Sequence, residues 1–303
     1  MKKELRDKNG LTEAEFLSQY EPGDYVRPSV AVDMVIFTVM DKEEENYRKL
    51  PEKKLKVLLI QRGVHPYLGC FALPGGFVRP EETTEAAAKR ELKEETGVDR
   101  VYLEQLYTFS DPERDPRTWV MSCSYMALID SSKVKLEAGD DADNAMWFEA
   151  SYLLLDEHIE YRKNTAYDGM RTIRTRRYEL KLQNGDEILS ALIEKKITKT
   201  EHETIIDYKI LQNDGLAFDH AKIIAYALER LRGKLEYTDL ALHLMPKEFT
   251  LTQLQQVYEV ILDKPLLKAA FRRKIASLVE ETDSFTENEG HRPSRLYRRK
   301  TEE

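Results

Sequence analysis

The segment from Gly75 to Val98, GGFVRPEETTEAAAKRELKEETGV, constrains this chain more than any other. It contains six glutamates, and Glu91, Glu94 and Glu95 fall on one turn if the segment is helical. Like charges one turn apart repel each other and destabilise a helix. The pattern therefore calls for a partner that neutralises the carboxylates, and a hard divalent cation is a suitable one.

Local signals in this segment predict a loop followed by a helix. Thr83 or Thr84 suits the start of the helix, and Gly97 suits its end. In the loop, Gly75 and Gly76 carry no side chain, so their backbone can come close to a metal ion or a phosphate. The helix and the loop together predict a metal and phosphate site.

A glutamate-rich helix can also be no more than a solvated face, and the spacing of the whole segment decides between these interpretations. Nine positions match the pattern G-x5-E-x7-R-E-U-x-E-E-x-G-U, where U is bulky and aliphatic. The segment therefore resembles the Nudix signature. The matching residues are Gly76, Glu82, Arg90, Glu91, Leu92, Glu94, Glu95, Gly97 and Val98.

The resemblance implies hydrolysis of a nucleoside diphosphate linked to another group, with Mg2+ or Mn2+ held by the glutamates of the signature. Carried over to this chain, the metal ligands are Glu91, Glu94 and Glu95, with the Gly75 carbonyl as a further one. Arg90 is expected to orient Glu91 through a charged hydrogen bond. We expect these carboxylates to face solvent, so that replacing one leaves the fold intact.

The general base is less well defined by the resemblance, because family members differ. Some use a glutamate of the signature, and others use an acidic residue on a distant loop. The segment AGDDADNAMWF offers Asp140, Asp141 and Asp143 for the second arrangement, and we take Asp141 as the candidate. An ordinary acidic turn would have the same composition.

The segments around the signature narrow the choice of relatives. YVRPSVAVDMVIF, LPGGFV, LYTFSDPERDPRTWVMSCSYMAL and AGDDADNAMWF resemble the branch that holds ADP-ribose pyrophosphatases and Nudix-related transcriptional regulators of NAD metabolism. The resemblance implies a ligand such as ADP-ribose. It makes Gly75, Gly76, Arg114 and Arg117 the expected substrate-binding residues.

The C-terminal part has a helical period. Thr250 and Gln253 have the spacing of a capping box, and Pro265 suits the first turn of a helix over LLKAAFRRKIASLV. A short basic strand, SRLYRRK, follows. These segments resemble the winged helix of the same regulators. An earlier helix, AFDHAKIIAYALERL, places one apolar stripe on Phe218, Ala221, Ile224, Ala225, Leu228 and Leu231.

A cationic face on the C-terminal part predicts binding to double-stranded DNA. The whole chain has a net charge of -8, whereas residues 216–300 hold 15 Lys and Arg against 12 Asp and Glu. A basic helix can enter the major groove, and arginines on a hairpin can contact phosphates. A helical dimerisation cap with solvated arginines is the alternative. The candidate DNA-binding residues are Lys268, Arg272, Arg273, Lys274, Arg292 and Arg295.

The expected fold class is α+β, with a Nudix α/β/α sandwich around a mixed sheet and a winged helix-turn-helix domain after it. Between them, Asn184-Gly185 predicts a hairpin, so the connecting part either lengthens the first sheet or bridges to the next domain. We expect the three helices after position 215 and the terminal hairpin to form a unit of their own. The expected domains are an N-terminal arm (1–20), the Nudix domain (21–155), a β-rich extension or insertion (156–212) and the winged helix (213–300).

Three functions fit these features. The protein is a regulator that binds and also cleaves its ligand, a working pyrophosphatase whose winged helix supports dimerisation, or a pure sensor that keeps the glutamates for ligand binding. We favour the first, as a homodimer. No apolar run approaches the length of a membrane span, and no secretory signal is expected, which together with two cysteines outside any CxxC pair favours the cytoplasm. We expect both cysteines to be buried, without a disulfide or a zinc site.

Overall fold

The computed structural model describes residues 5–42, 51–133, 145–163, 170–286 and 293–300. The helices are α1 (Glu13–Gln19), α2 (Thr84–Thr96), α3 (His220–Lys234), α4 (Leu251–Leu262) and α5 (Lys268–Ile275). The strands are β1 (Ser29–Asp41), β2 (Lys53–Gln61), β3 (Phe71–Ala72), β4 (Gly75–Phe77), β5 (Tyr102–Phe109), β6 (Val120–Leu128), β7 (Ala145–Lys163), β8 (Met170–Asn184), β9 (Glu187–Lys199), β10 (Thr204–Asp214), β11 (Val279–Phe285) and β12 (Arg295–Arg299). Within these ranges, no helix has the length and apolar character needed to cross a membrane.

Ten of the strands form one mixed sheet. Its order is β10-β9-β8-β7-β2-β1-β6-β5, with β3 paired to β2 and β4 paired to β1. The β1–β6 pair is parallel, and the other pairs of this sheet are antiparallel. The mixed sheet predicted from the sequence is confirmed.

The central strand β1 is covered on both faces, which explains its continuous apolar sequence. Val32, Met34 and Ile36 pack with α2, whereas Val35 and Phe37 belong to the core cluster that includes α3. Alternate residues of a strand point to opposite faces of its sheet. Helix, sheet and helix thus form the three layers of the expected sandwich.

Helix α3 closes the second face of the sheet as well as contacting the C-terminal helices. Its residues Ile224 and Leu228 share one core cluster with the sheet and with Phe271 of α5. The expectation that helices 3 to 5 and the hairpin form a separate unit is therefore wrong, because α3 buries its apolar stripe against the sheet. Phe218 lies outside that stripe, because it precedes the helix and has a φ of 51°.

The long connecting part lengthens the sheet. Strand β7 continues through position 155, where its pairing with β8 has a bulge, and β8, β9 and β10 follow it as antiparallel neighbours. The hairpin at Asn184-Gly185 is present, with Asn184 paired to Glu187 and Gly185 in the turn at a φ of 56°. Of the two roles predicted for this part, extension of the first sheet is the one that the structure has.

The C-terminal part contains α4, α5 and the antiparallel β11–β12 hairpin. The capping box between Thr250 and Gln253 is present. Pro265, however, precedes α5 instead of lying in its first turn. The reason is that α4 holds the next residue in place: Leu266 donates its N–H to Glu259, and its carbonyl oxygen accepts from Gln255.

The two cysteines are free, as expected, but they are only partly buried. Cys70 and Cys123 are both intermediate in exposure. The Cys123 sulfur lies 3.7 Å from the Thr108 hydroxyl. The expectation of full burial is wrong: Cys123 packs against the core cluster that includes α2, and both side chains remain partly exposed.

Candidate functional site

Helix α2 begins and ends where local chemistry predicts. The Thr83 hydroxyl accepts a hydrogen bond from the Ala86 N–H at 3.1 Å. At the other end, Gly97 is left-handed, with a φ of 68°, and donates its N–H to the Lys93 carbonyl. Both ends are standard stabilising caps. They fix the phase of the helix and so decide which face carries the glutamates.

Arg90 donates hydrogen bonds to three other residues of the signature. Its guanidinium donates to both carboxylate oxygens of Glu82, at 2.8 and 3.1 Å, and to Glu91 at 2.6 Å. A further bond of 3.3 Å reaches Glu94. The Arg90 guanidinium holds the pKa of Glu82 down at about 2, helped by a backbone hydrogen bond from Arg79. One arginine therefore offsets much of the repulsion that the sequence pattern implies.

Close packing of neighbouring atoms requires glycine at both positions of the loop. A Cβ added to Gly76 would lie 2.3 Å from Oε1 of Glu91, and one added to Gly75 would lie 2.2 Å from the Val32 carbonyl oxygen. Real Cβ atoms do not come so close to oxygen. Strand β4 is therefore pressed against α2 on one side and β1 on the other, and only glycine fits.

Glu91 is buried, with 8% of its surface exposed, and this contradicts the expectation that it faces solvent. The cause is the contact with Arg90 and Gly76 just described. Glu94, by contrast, keeps 53% of its side chain exposed while it accepts the 3.3 Å bond from Arg90. Among the described residues, no three acidic, histidine or cysteine side chains converge into a ready-made metal cluster.

The donors nevertheless fit a hard divalent cation by their chemistry. Glu91, Glu94 and Glu95 offer carboxylate oxygens from a single helix face, and the backbone of the glycine loop lies against Glu91 with no side chain between them. Rotation of the exposed Glu94 towards Glu91 would complete a set of oxygen ligands. The Asp141 candidate, like Asp140 and Asp143, lies outside the described residues.

A cavity of about 300 Å3 opens beside the glycine loop. Gly75, Gly76, Arg114 and Arg117, the four expected substrate-binding residues, all line it. Arg117 is half-exposed and pairs with Asp115 at 2.7 Å. Arg114 is buried and is held by two carboxylates from distant parts of the chain: its Nη2 lies 3.1 Å from Asp33 and 2.7 Å from Asp219.

Two residues that were not among the expected substrate-binding residues contribute to the same cavity. Arg62, at the end of β2, and Phe218, before α3, both line it. The Arg62 guanidinium lies 4.9 Å from the centre of the Phe218 ring, and the Arg117 guanidinium lies 5.7 Å from it. Both guanidiniums therefore lie within cation–π distance of the same ring. No local sequence signal marks these residues, because they meet only in the folded chain.

His220 and Asp33 form the floor of the cavity. His220 is fully buried, and its Nδ1 accepts a hydrogen bond from the Leu73 N–H at 2.8 Å. The proton of the neutral ring is therefore on Nε2, which lies 3.6 Å from Asp33. Burial lowers the pKa of His220, and the Asp33 charge offsets this only in part. A lone aspartate in the apolar run of β1 was the one sequence signal for this group.

The buried, neutral His220 predicts a pH-dependent stability. The unfolded chain takes up a proton at this histidine below about pH 6.5, whereas the folded chain resists it. The free energy of unfolding therefore falls as the pH drops below 6.5, by about 1 kcal/mol between pH 7 and 5.5 for a group that stays neutral when folded. Urea unfolding at both pH values should show this loss in the wild type and a smaller one in His220→Gln. Equal losses in both proteins would contradict the assignment.

The candidate DNA-binding residues fall into three groups. Lys268, Arg272 and Arg273 are exposed on α5, while Phe271 and Ile275 of the same helix are buried. Two other candidates, Lys274 and Arg295, bond to groups within the protein.

Lys274 donates to the Leu235 carbonyl oxygen at 2.7 Å, and Arg295 of the hairpin pairs with Glu281 at 2.5 Å. Arg292 lies outside the described residues. The exposed basic surface is therefore concentrated on α5.

Comparisons with known proteins agree with this architecture. A family model for the NUDIX domain matches residues 47–167, and one for the NrtR DNA-binding winged helix domain matches residues 241–299. The chain is 34% identical over 294 residues to the ADPR responsive transcriptional repressor NtrR of Acinetobacter baylyi, with 96% of this chain and 89% of that protein covered. The chain belongs to the NrtR family. The predicted Nudix fold with a C-terminal winged helix is thereby confirmed.

Two further relatives illustrate the two parts of an NrtR chain. An ADP-ribose pyrophosphatase of Methanocaldococcus jannaschii is 43% identical over 129 residues, which cover 43% of this chain and 66% of that protein. The crystal structure of Shewanella oneidensis NrtR complexed with a 27mer DNA is 27% identical, with a TM-score of 0.54 and coverage of 89% of this chain and 93% of that one. The first match covers less than half of this chain, whereas the second covers nearly all of it.

Proposed function

We propose that this protein is a transcriptional regulator that binds an ADP-ribose-like nucleoside diphosphate derivative and also hydrolyses its diphosphate. The observation that carries the proposal is the union, in one folded chain, of a complete Nudix signature with an exposed basic helix, α5. The names of the Acinetobacter and Methanocaldococcus relatives support ADP-ribose as the ligand class.

The cavity beside the glycine loop suits a ligand with two phosphates. Arg62 and Arg117 flank it, and Arg62 has no carboxylate partner among the described residues, donating instead to the Pro66 carbonyl oxygen. Burial and the nearby Arg117 charge lower the pKa of Arg62. An anion between these guanidiniums would relieve their repulsion. The Phe218 ring, which both guanidiniums approach, adds an aromatic surface for a base or a sugar.

The signature residues supply the hydrolytic function in this proposal. Arg90 holds the Glu91 carboxylate in one orientation beside Gly76, so the carboxylate needs no rearrangement to act as a ligand. The bound cation would neutralise phosphate oxygens and acidify the attacking water. The wall around Gly75 and Gly76 keeps the diphosphate within reach of this helix face.

The basic face of α5 is the proposed contact with double-stranded DNA. Lys268, Arg272 and Arg273 project from one exposed side, while the other side packs into the core. A helix held in this way can place arginines in the major groove without losing its own support. A regulator of this kind acts on chromosomal DNA, and we place it in the cytoplasm.

One experiment separates the candidate functions. Purified protein is incubated with ADP-ribose and related nucleoside diphosphate derivatives in the presence of Mg2+, and products are measured. The same compounds are then added to a gel-shift assay on DNA upstream of the protein's own gene. We expect the protein to hydrolyse ADP-ribose. We also expect ADP-ribose to release the protein from the DNA. Ligand binding without products would indicate a pure sensor, and hydrolysis without a DNA shift would indicate a pyrophosphatase.

We also propose that the protein is a symmetric homodimer, because two identical winged helices would match palindromic half-sites. Light scattering at the concentration used in the gel-shift assay should give twice the mass of one chain. A mass of 35.4 kDa, that of a single chain, would rule the dimer out.

A further inference from the structure

The cavity and the DNA-binding helix are connected through residues 215–220, which we call the α3 lead segment. Its backbone pairs with β3: the Phe71 N–H donates to the Gly215 carbonyl oxygen, and the Ala217 N–H donates to the Phe71 carbonyl oxygen, each at 2.8 Å. Phe218 then lines the cavity, and His220 begins α3. The segment is thus at once a wall of the cavity and the start of a helix.

The far end of α3 is bonded to both C-terminal helices. Arg232 donates to the Ile261 carbonyl oxygen of α4 at 2.9 Å, and the Leu235 carbonyl oxygen after α3 accepts from Lys274 of α5. A helix of 15 residues spans about 22 Å, so α3 links the two regions directly. A displacement at the lead segment therefore reaches the helix that carries Arg272 and Arg273.

Asp219 is the residue whose contacts can change with the ligand. It occupies the N-cap position of α3, where an aspartate side chain usually accepts a helix N–H, yet it makes no such bond. Both of its carboxylate oxygens accept instead from Arg114, at 2.7 and 3.1 Å. Asp219 therefore has two competing partners, the arginine of the cavity and the first turn of α3.

The other carboxylate partner of Arg114 lies on the strand that pairs with the signature loop. Arg114 also donates to Asp33, and Asp33 is the residue of β1 that pairs with Gly75 of β4. An anionic ligand seated beside Gly75 competes with Asp219 for the Arg114 guanidinium. Once Arg114 loosens its hold, the Asp219 carboxylate is free to turn towards the N–H groups of α3. Its present backbone, with a φ of -94° and a ψ of 20°, must then move, because capping aspartates adopt an extended ψ.

The lead segment also holds strain, which is characteristic of ligand clamps. Phe218 has a positive φ of 51°, and it packs at 4.7 Å against Tyr67, which has a positive φ of 62°. Neither residue is glycine, so both backbones are held in an unfavourable conformation by their surroundings. Contact of a ligand with the Phe218 ring acts directly on the residue before Asp219.

We propose that the α3 lead segment transmits occupancy of the cavity to the DNA-binding helix, and that exchange of the Arg114–Asp219 ion pair is the step that does so. The inference rests on the proposed function, since it concerns how the same ligand alters DNA binding. Coupling of this kind is reciprocal: bound DNA must weaken ligand binding by the same factor as the ligand weakens DNA binding.

The test compares wild-type protein with Asp219→Asn, which keeps the shape of the side chain and removes its charge. Calorimetry with ADP-ribose gives ligand affinity, and fluorescence anisotropy with the gel-shift duplex gives DNA affinity with and without ADP-ribose. In Asp219→Asn we expect ADP-ribose to bind at least as tightly as in the wild type, because its competitor for Arg114 has lost its charge, while the effect of ADP-ribose on DNA affinity falls about tenfold. Asp219→Glu, which can still reach Arg114, should restore part of the effect.

Asp111→Asn is the matched control. It removes the ion pair between Asp111 and Lys222, which joins the same loop to α3 outside the cavity. Coupling should be unchanged in this variant. Equal losses in Asp111→Asn and Asp219→Asn, or full coupling in a folded Asp219→Asn, would overturn the inference.

The wild type alone supplies a second readout, which decides the matter if Asp219→Asn does not fold. Hydrogen exchange of the amides in the first turn of α3 should change when ADP-ribose is added, and unchanged exchange in the presence of bound ligand would overturn the inference. Failure of the proposed function looks different. In that case, calorimetry detects no ADP-ribose binding to the wild type, or bound ADP-ribose leaves DNA affinity unaltered.

Discussion

Glu91→Gln is expected to lower the rate of ADP-ribose hydrolysis by about 10²- to 10³-fold, the usual cost of removing a charge that stabilises the transition state. The Glu91 carboxylate lies between the Arg90 guanidinium and Gly76, with one charge-assisted bond of 2.6 Å holding it there. A glutamine occupies the same space but is a much weaker ligand for a hard cation. Turnover of ADP-ribose with Mg2+ under saturating conditions is the measurement. The same loss is expected for Glu95→Gln.

The control for this prediction is Glu85→Gln in the same helix. Glu85 lies in the first turn of α2, is exposed and pairs with Lys89, so its replacement should leave turnover nearly unchanged. Because Glu91 is buried, Glu91→Gln also weakens a hydrogen bond that contributes about 1–3 kcal/mol to stability. Thermal unfolding of each variant shows whether the protein is folded at the assay temperature. Normal turnover by folded Glu91→Gln protein would refute the proposed role of the signature.

Features that depend on neighbours in sequence could be predicted. The caps at Thr83 and Gly97, the box at Thr250 and Gln253, and the hairpin after Asn184 each involve residues within a few positions of one another. The nine spaced residues of the signature are likewise a local pattern. Such patterns act through one or two turns of backbone, so the sequence alone specifies them.

Features that depend on distant contacts could not be predicted. Arg62, Phe218 and His220 meet in one cavity only because β3 pairs with the α3 lead segment. The hydrogen bond from Lys274 to the carbonyl oxygen of Leu235 after α3 likewise joins residues far apart in the chain, and the charge of Lys274 gives no sign of it. Helix α3 has the apolar stripe of any surface helix, and nothing in that stripe says which sheet or helix it covers. Tertiary packing decided each of these cases.

The double variant Arg272→Ala and Arg273→Ala is expected to weaken DNA binding about 10- to 100-fold at physiological salt. Both arginines are exposed on α5, and neither forms an ion pair with any residue that the structure describes. They are therefore available to DNA phosphates or guanine edges. Fluorescence anisotropy over a salt series is the measurement. Loss of two phosphate contacts per chain should also reduce the steepness with which affinity falls as salt rises.

Hydrolysis by this double variant should be unchanged, because Phe271 and Ile275 still anchor α5 and the cavity lies at the other end of α3. Arg162→Ala is a matched control: it removes an exposed arginine of β7, outside the winged helix, and should leave DNA affinity intact. If the double variant lost both activities, α5 would be supporting the fold instead of contacting DNA. If it lost neither, the basic face of α5 would be a solvated surface, and the hairpin arginines would be the next DNA contacts to examine. The expected result, loss of DNA binding with hydrolysis retained, requires that recognition and chemistry reside on separate elements joined by α3.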